Sequence, residues 1–506
     1  MWRIIGVINQ CITNTGKHVG KMNINKTILQ CANIGILLIV GFGFSSFAFA
    51  ELQLPKGERS PNLSLDPFER ARKAVKQIPT QSAEEPARER AAPEKIQGGS
   101  DALAAETSSE GAADEPAEPF SYEILGIADF FTLVSGGPFD DGTSEEAPVT
   151  RAIPMMVDLA GEVDTEAAGL WKDGLIFAHL MLYSGSQGTP SAIVGDFHGL
   201  SNIDAGLTTT VPKLLELWYQ HSFPFSKSSF LIGIHDWNSE FYIAEYAGLF
   251  LNGTFGMGSV IGIGSPSAYP TTTAGLRYKS QLTEDIYFQL AGYDGTPGDT
   301  DEFFNVAFNS IDPDTEEVTS DGIFIGVESG YVKGEPGEKD YIKVAVGGWF
   351  SGIPTEGFTG VEEEEGLNAG DVSSSGPYGA YALAETSISE TMGVFFKAGW
   401  ADPAINRFSM FLAGGLNYTG LVPGRVDDVF GVAVTQTRQS QDFLTLNEGS
   451  DLVAAETTFE VTYSAQINEW LMVQPDLQFI QAPAMIGNTD IMQNATVFGL
   501  RLQATY

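Results

Sequence analysis

Phe498-Gly499-Leu500-Arg501-Leu502-Gln503-Ala504-Thr505-Tyr506 closes the chain. Read with period two, Phe498, Leu500, Leu502, Ala504 and Tyr506 fall on one face and Arg501, Gln503 and Thr505 on the other. A strand between lipid and a watery interior needs this division, and a terminal aromatic suits the membrane interface. The fold class expected is all-β, a transmembrane antiparallel β-barrel, whose closing strand, ending at Tyr506, would also be the handle for the barrel assembly machinery.

Working upstream, the same alternation recurs. Phe459, Val461, Tyr463, Ala465 and Ile467 alternate with Glu460, Thr462, Ser464 and Gln466. Leu471, Val473 and Leu477 alternate with Met472, Gln474, Asp476 and Gln478; Ile342, Val344 and Val346 flank Lys343; Val394, Phe396 and Ala398 flank Lys397. The polar set predicts an inner wall carrying Lys343, Lys397, Glu460, Gln474, Asp476, Gln478 and Arg501. Three junctions, Leu282-Thr283-Glu284, Ile388-Ser389-Glu390 and Ile467-Asn468-Glu469, each lead at once into an apolar strand and read as short periplasmic hairpins. Connections such as 312–321 and 360–371 are longer and acidic, as expected of extracellular loops. At about 9 to 11 residues per strand plus connections, the 386 residues after Phe120 accommodate about sixteen strands. A barrel of that size leaves an aqueous channel. The competing fold is a soluble sandwich or propeller, which would place the apolar face inside.

The start of the chain fits export. Lys17, Lys21 and Lys26 precede an apolar run over 34–47 that reaches Ala48-Phe49-Ala50, so residues 1–50 read as a signal peptide cleaved after Ala50. Met22 is an alternative initiator. Both cysteines, Cys11 and Cys31, lie in that segment, leaving no thiol in the mature chain. Residues 51–120 are rich in Ala, Glu, Pro, Ser and Gly and read as a largely disordered acidic periplasmic tail or linker. Within it, 66–78 is either a docking helix or a solvated stretch. Residues 121–506 form the outer-membrane barrel domain.

The net charge of −38 becomes −42 once the four basic residues of 1–50 are removed. Nucleic acid is thereby excluded as a partner. In a pore the same charge would draw cations. No H-E-x-x-H, no G-x-S-x-G and no mature cysteine is present, so the chain is not expected to be an enzyme, and no cofactor or metal is expected.

Several blocks, in order, carry a resemblance: Leu214-Leu215-Glu216-Leu217-Trp218-Tyr219; Phe230 through His235-Asp236-Trp237-Asn238-Ser239-Glu240-Phe241; Leu249-Phe250-Leu251-Asn252-Gly253-Thr254-Phe255-Gly256. It continues in Tyr269-Pro270, Ala274-Gly275-Leu276-Arg277, Ala398-Gly399-Trp400-Ala401-Asp402-Pro403, Gly414 through Gly424-Arg425, and Gln474-Pro475-Asp476-Leu477-Gln478. Together they resemble the OprB family of carbohydrate-selective porins, over about Gly169 to Tyr506. The resemblance departs at Ile234-His235, where a lysine is expected.

What the resemblance implies is passive diffusion of mono- or oligosaccharides, and of ions, across the outer membrane of a Gram-negative cell. Carboxylate, guanidinium and amide groups would exchange hydrogen bonds with sugar hydroxyls at a constriction. Arg277 and Arg425 lie in family-like blocks and are the expected basic members of that constriction, opposed by Glu216, Asp236 and Glu240. Trp218, Tyr219 and Trp237 are candidate stacking surfaces, and His235 a candidate contact. The competing reading is that these groups pair across strands to brace the wall, and that the aromatics belong to interfacial girdles. Two further functions remain open: a general cation-preferring porin without a sugar site, and a structural barrel whose tail tethers the membrane to the cell wall. Monomer and homotrimer are equally compatible with the sequence.

Overall fold

A computed structural model describes residues 119–138, 149–185, 189–295, 297, 303–304, 309–311, 318–320, 322–353, 376–448, 450–489 and 492–506. Residues 1–118, which hold the expected signal peptide, the expected tail and the 66–78 stretch, lie outside these residues, as do the 360–371 loop and 312–321 apart from 318–320.

Among the described residues, sixteen long strands close into a barrel. They are β1 (Phe120–Pro138), β2 (Met155–Asp164), β3 (Gly174–Ser184), β4 (Thr210–Phe223), β5 (Ser228–His235), β6 (Thr273–Gln281), β7 (Ile286–Asp294) and β8 (Ile323–Lys333). The second half comprises β9 (Ile342–Ser351), β10 (Tyr378–Ser389), β11 (Met392–Ala401), β12 (Phe408–Thr419), β13 (Val429–Gln439), β14 (Ala455–Asn468), β15 (Leu471–Gln481) and β16 (Met492–Thr505). Each strand pairs antiparallel with its sequence neighbours, and β1 pairs with β16 in the register Phe130↔Leu500 and Ala128↔Leu502. Closure leaves no edge, so backbone groups facing lipid are satisfied within the sheet. The expected barrel and strand number are both found. Among the described residues no helix is long and apolar enough to cross a membrane.

The alternation sorts residues as a lipid-facing wall requires. Phe130, Phe459, Val461, Leu477, Phe479, Phe498 and Leu502 are exposed on the outside, while Glu460, Gln474, Asp476, Gln478, Arg501 and Lys397 are almost fully buried on the inside. Trp171, Phe223, Phe225 and Trp470 are exposed at the rim that also bears both strand termini of the barrel, and Trp171 Nε1 donates to the Tyr219 hydroxyl at 2.8 Å. Tyr219 therefore belongs to an interfacial girdle and not to the interior. The junctions after Gln281, Ser389 and Asn468 all fall on this short-turn rim, as their sequence predicts. The alternate connections emerge at the opposite, long-loop rim.

One expectation needs correction: the interior is not simply water-filled. The connection between β5 and β6, residues 236–272, folds inward as short helical turns, Trp237–Ser239, Glu245–Leu249, Gly253–Gly256 and Ser259–Gly262. The sequence explains why it leaves the wall. Phe241-Tyr242-Ile243-Ala244 and Tyr246 to Leu251 are continuous apolar runs without alternation, so they need burial on more than one side. They find it against inward Phe324, Trp349, Tyr381, Leu383, Phe395 and Phe411. Inward glycines make the room: a Cβ on Gly326 would meet Trp237 Nε1 at 2.3 Å, and one on Gly393 would meet the Tyr246 ring at 2.2 Å.

Candidate functional site

The inserted segment brings many main-chain amides into the barrel interior without strand partners, and each needs an acceptor. Inward glutamates supply them. Glu216 accepts from Asp236 N at 3.0 Å, Glu328 from Tyr242 N at 2.8 Å and Glu385 from Tyr246 N at 3.0 Å. Glu460 accepts from Leu251 N at 2.6 Å and Asn252 N at 3.0 Å, and Glu456 from Phe197 N and His198 N of the connection between β3 and β4. Lys397 donates to the carbonyls of Phe255 and Gly256 and sits 3.9 Å above the Tyr242 ring. Gln474 donates to Leu249 O and Gln478 to Leu200 O. Arg501 forms a bidentate pair with Asp129 at 2.7 Å and reaches Asn202, tying the β1–β16 closure to the second inserted stretch. Asp476 accepts from Gln478 at 3.0 Å. The inward residues expected to line a channel thus face inward, but most are covered by inserted chain.

Partly exposed charged side chains lie elsewhere. Glu240, on the inserted segment, and Lys279, on β6, keep 16% and 14% of their side chains exposed, and Glu245 and Lys343 keep 14% and 13%. The first pair is 4.0 Å apart and the second 3.8 Å. Arg277 stands behind the first: its guanidinium donates to Glu240, Gln220 and Ser229, each at 2.6 Å. Burial works against ionisation of Glu240, but Arg277 and Lys279 outweigh it and hold the carboxyl well below the usual carboxylate range. Asp236 is different. Burial and the neighbouring Glu216 push it up to about 6, although its carboxylate accepts Asn238 N and Tyr269 N.

Of the residues expected at a constriction, Glu216, His235, Asp236, Glu240 and Arg277 do gather on the inner faces of β4 to β6 and the start of the insertion. His235 Nδ1 lies 2.6 Å from the Tyr293 hydroxyl and its Nε2 3.7 Å from Glu240. Trp218 is half-buried, stacked on Phe177 at 4.8 Å, with Nε1 donating to Glu216. Two expectations are overturned. Trp237 is fully buried among Phe241, Phe324 and Tyr381, so it has no face to offer a sugar. Arg425 lies in the turn between β12 and β13 on the short-turn rim, pairing with Asp428 at 2.7 Å and with Gln466 O. It braces a turn, as Asx-rich connections commonly require, and does not reach the constriction.

Lys279, Gln220, Glu245, Glu328, Glu385 and Glu456 went unnoticed in the sequence. Lys279 follows Arg277 by two and shares its face, a signal that strand periodicity contains. Glu245 carries no such signal, because the inserted segment has no regular period.

The protein-family model described as "Carbohydrate-selective porin, OprB family" matches residues 156–506. No curated protein matches the sequence. Among solved structures, the high-pH structure of Pseudomonas putida OprB is 17% identical, with a TM-score of 0.64, over 77% of this chain and 94% of that one. The low-pH structure of the same protein gives 12% identity and a TM-score of 0.44 over 77% and 93%. The outer membrane channel DcaP of Acinetobacter baumannii gives 10% and 0.46 over 76% and 97%. Closed barrel, inserted segment and the family match over most of the chain converge: this chain belongs to the OprB family of carbohydrate-selective porins, channels of the outer membrane.

Proposed function

We propose that sugars diffuse through this barrel past a constriction formed by Glu240, Lys279 and Gln220, backed by Arg277, with Glu245 and Lys343 forming a second contact. The observation that carries this reading is the contrast in access. Two opposed-charge pairs keep 13–16% of their side chains exposed, where most other inward ions are almost fully buried. Paired charges present donors and acceptors side by side at low net field, which suits neutral polyols better than a single-sign ring would. Binding stays weak because each group already has a partner to return to.

Cleavage after Ala50, a tail over 51–120 on the periplasmic side, and a short-turn rim facing the periplasm complete the proposal. Ion current through the purified protein in a planar bilayer, with a salt gradient and stepwise glucose and maltose, tests it. Saturable block is expected. Cation-preferring current indifferent to sugar would support the general porin instead, and absence of current would end the transport reading.

A further inference from the structure

A cavity of about 390 Å³ lies at the long-loop rim, walled by the second half of the inserted segment and by the exits of β7 and β9 at Gly295 and Ile353. That volume falls within the range of small-molecule sites, roughly 300–1,000 Å³. Its lining combines apolar faces, Met257, Pro266, Tyr269 and Pro270, with the hydroxyls of Ser265 and Thr271. None of the described residues that line it is charged, in a chain whose net charge is −38. Among the described lining residues no side chain carries a charge to hold an ion. A neutral ring with apolar C–H faces and hydroxyl edges finds both partners, the rings beneath it and the hydroxyls beside it.

The cavity is joined to the constriction through the backbone. Trp237 N donates to Ser267 O at 2.6 Å, Tyr269 N donates to Asp236, and the Tyr269 hydroxyl is held by Ile203 O at 2.6 Å. The cavity wall and the start of the constriction are therefore one braced piece. From these features we propose that the cavity is a vestibular site that holds a neutral sugar, of one or two pyranose rings, ahead of the constriction. It rests on the channel reading above and adds a loading step on one side only.

Gly262 gives a clean test, because a Cβ there would meet only Met257 Cε, at 3.9 Å, leaving room for a large side chain to occupy the cavity. Gly262→Trp, with Gly262→Ala as its backbone control, and separately Thr271→Val, are compared with the wild type for maltose block of oriented channels, the sugar being added to either side. Gly262→Trp is expected to raise the half-blocking concentration from the long-loop side about three- to tenfold, the worth of one lost ring contact. Block from the short-turn side should change less than about twofold. Thr271→Val should raise the long-loop value more modestly, and it keeps the test alive should Gly262→Trp fail to assemble. Unchanged half-blocking concentrations in both variants, or an equal rise from both sides, overturn the vestibular site while leaving the channel standing. A wild-type channel that maltose does not block from either side overturns both.

Discussion

Replacing Arg277 by Met removes one partner of a buried, hydrogen-bonded pair and keeps the volume of the stem. Arg277 is 2% exposed and gives three hydrogen bonds of 2.6 Å; without it Glu240 keeps only Lys279 at 4.0 Å and His235 at 3.7 Å. Breaking a buried pair from one side costs about 3–5 kcal/mol, while Glu240→Gln, which removes the charge and keeps the shape, should cost less. The two changes share one interaction, so Arg277→Met/Glu240→Gln should fall short of the sum of the single costs by about 2–3 kcal/mol. Urea unfolding from lipid vesicles, followed by tryptophan fluorescence, supplies the three values.

The pair also predicts a signature in pH. Because Glu240 is held below its ordinary value of 4.5 in the fold, it contributes stability above the unfolded value that is lost as pH falls through the folded one. Arg277→Met should flatten that acid-side loss. In the bilayer, Arg277→Met should shift the reversal potential toward cations and Glu240→Gln toward anions, each with weaker sugar block. Additivity of the two stability costs to within about 0.5 kcal/mol, or reversal potentials that move the same way, would refute the pairing as the constriction's organising contact.

Asp196 is pushed by burial, helped by the neighbouring Asp204, up to about 7 from 3.8, although the backbone amides of Asp196 and Gly199 work against the shift. A raised carboxyl value makes the fold bind more protons than the unfolded chain, so wild-type stability should fall as pH rises between those values, and Asp196→Asn should gain up to about 4 kcal/mol over wild type above pH 7; an equal gain at pH 3 would disprove the charge as its cause. Glu460→Ala orphans the amides of Leu251 and Asn252, costing about 2–6 kcal/mol, and should loosen the insertion into noisier, larger conductance steps; quiet wild-type steps would show the clamp to be dispensable. Trp237→Phe and Arg425→Ala should leave maltose block unchanged, since one lies in packed core and the other on the rim. A severalfold change in either would return that residue to the sugar path.

Much of this was legible residue by residue. Alternation at Phe498 to Tyr506 and at Phe459 to Ile467 names the lipid face and the inner face, because a side-chain period of two leaves no third choice. The turns after Gln281, Ser389 and Asn468 set the short rim, and the ordered blocks from Leu214 to Gln478 set the family. The apolar runs at Phe241 and Tyr246 announce burial, but not against which wall.

The wall and the partners were decided only in three dimensions. Glu460 and Lys397 lie on the inner face that alternation marks, yet what covers them is chain more than a hundred residues away, at Leu251 and Phe255. Arg277 and Arg425 look alike in sequence, each inside a family-like block; one meets Glu240 on the insertion and the other meets Asp428 in its own turn. Strand periodicity reports the direction in which a side chain points. What it meets there depends on where a 37-residue connection without period, 236–272, comes to rest inside the closed barrel, and that is set by the sum of its contacts around the wall and by no local pattern.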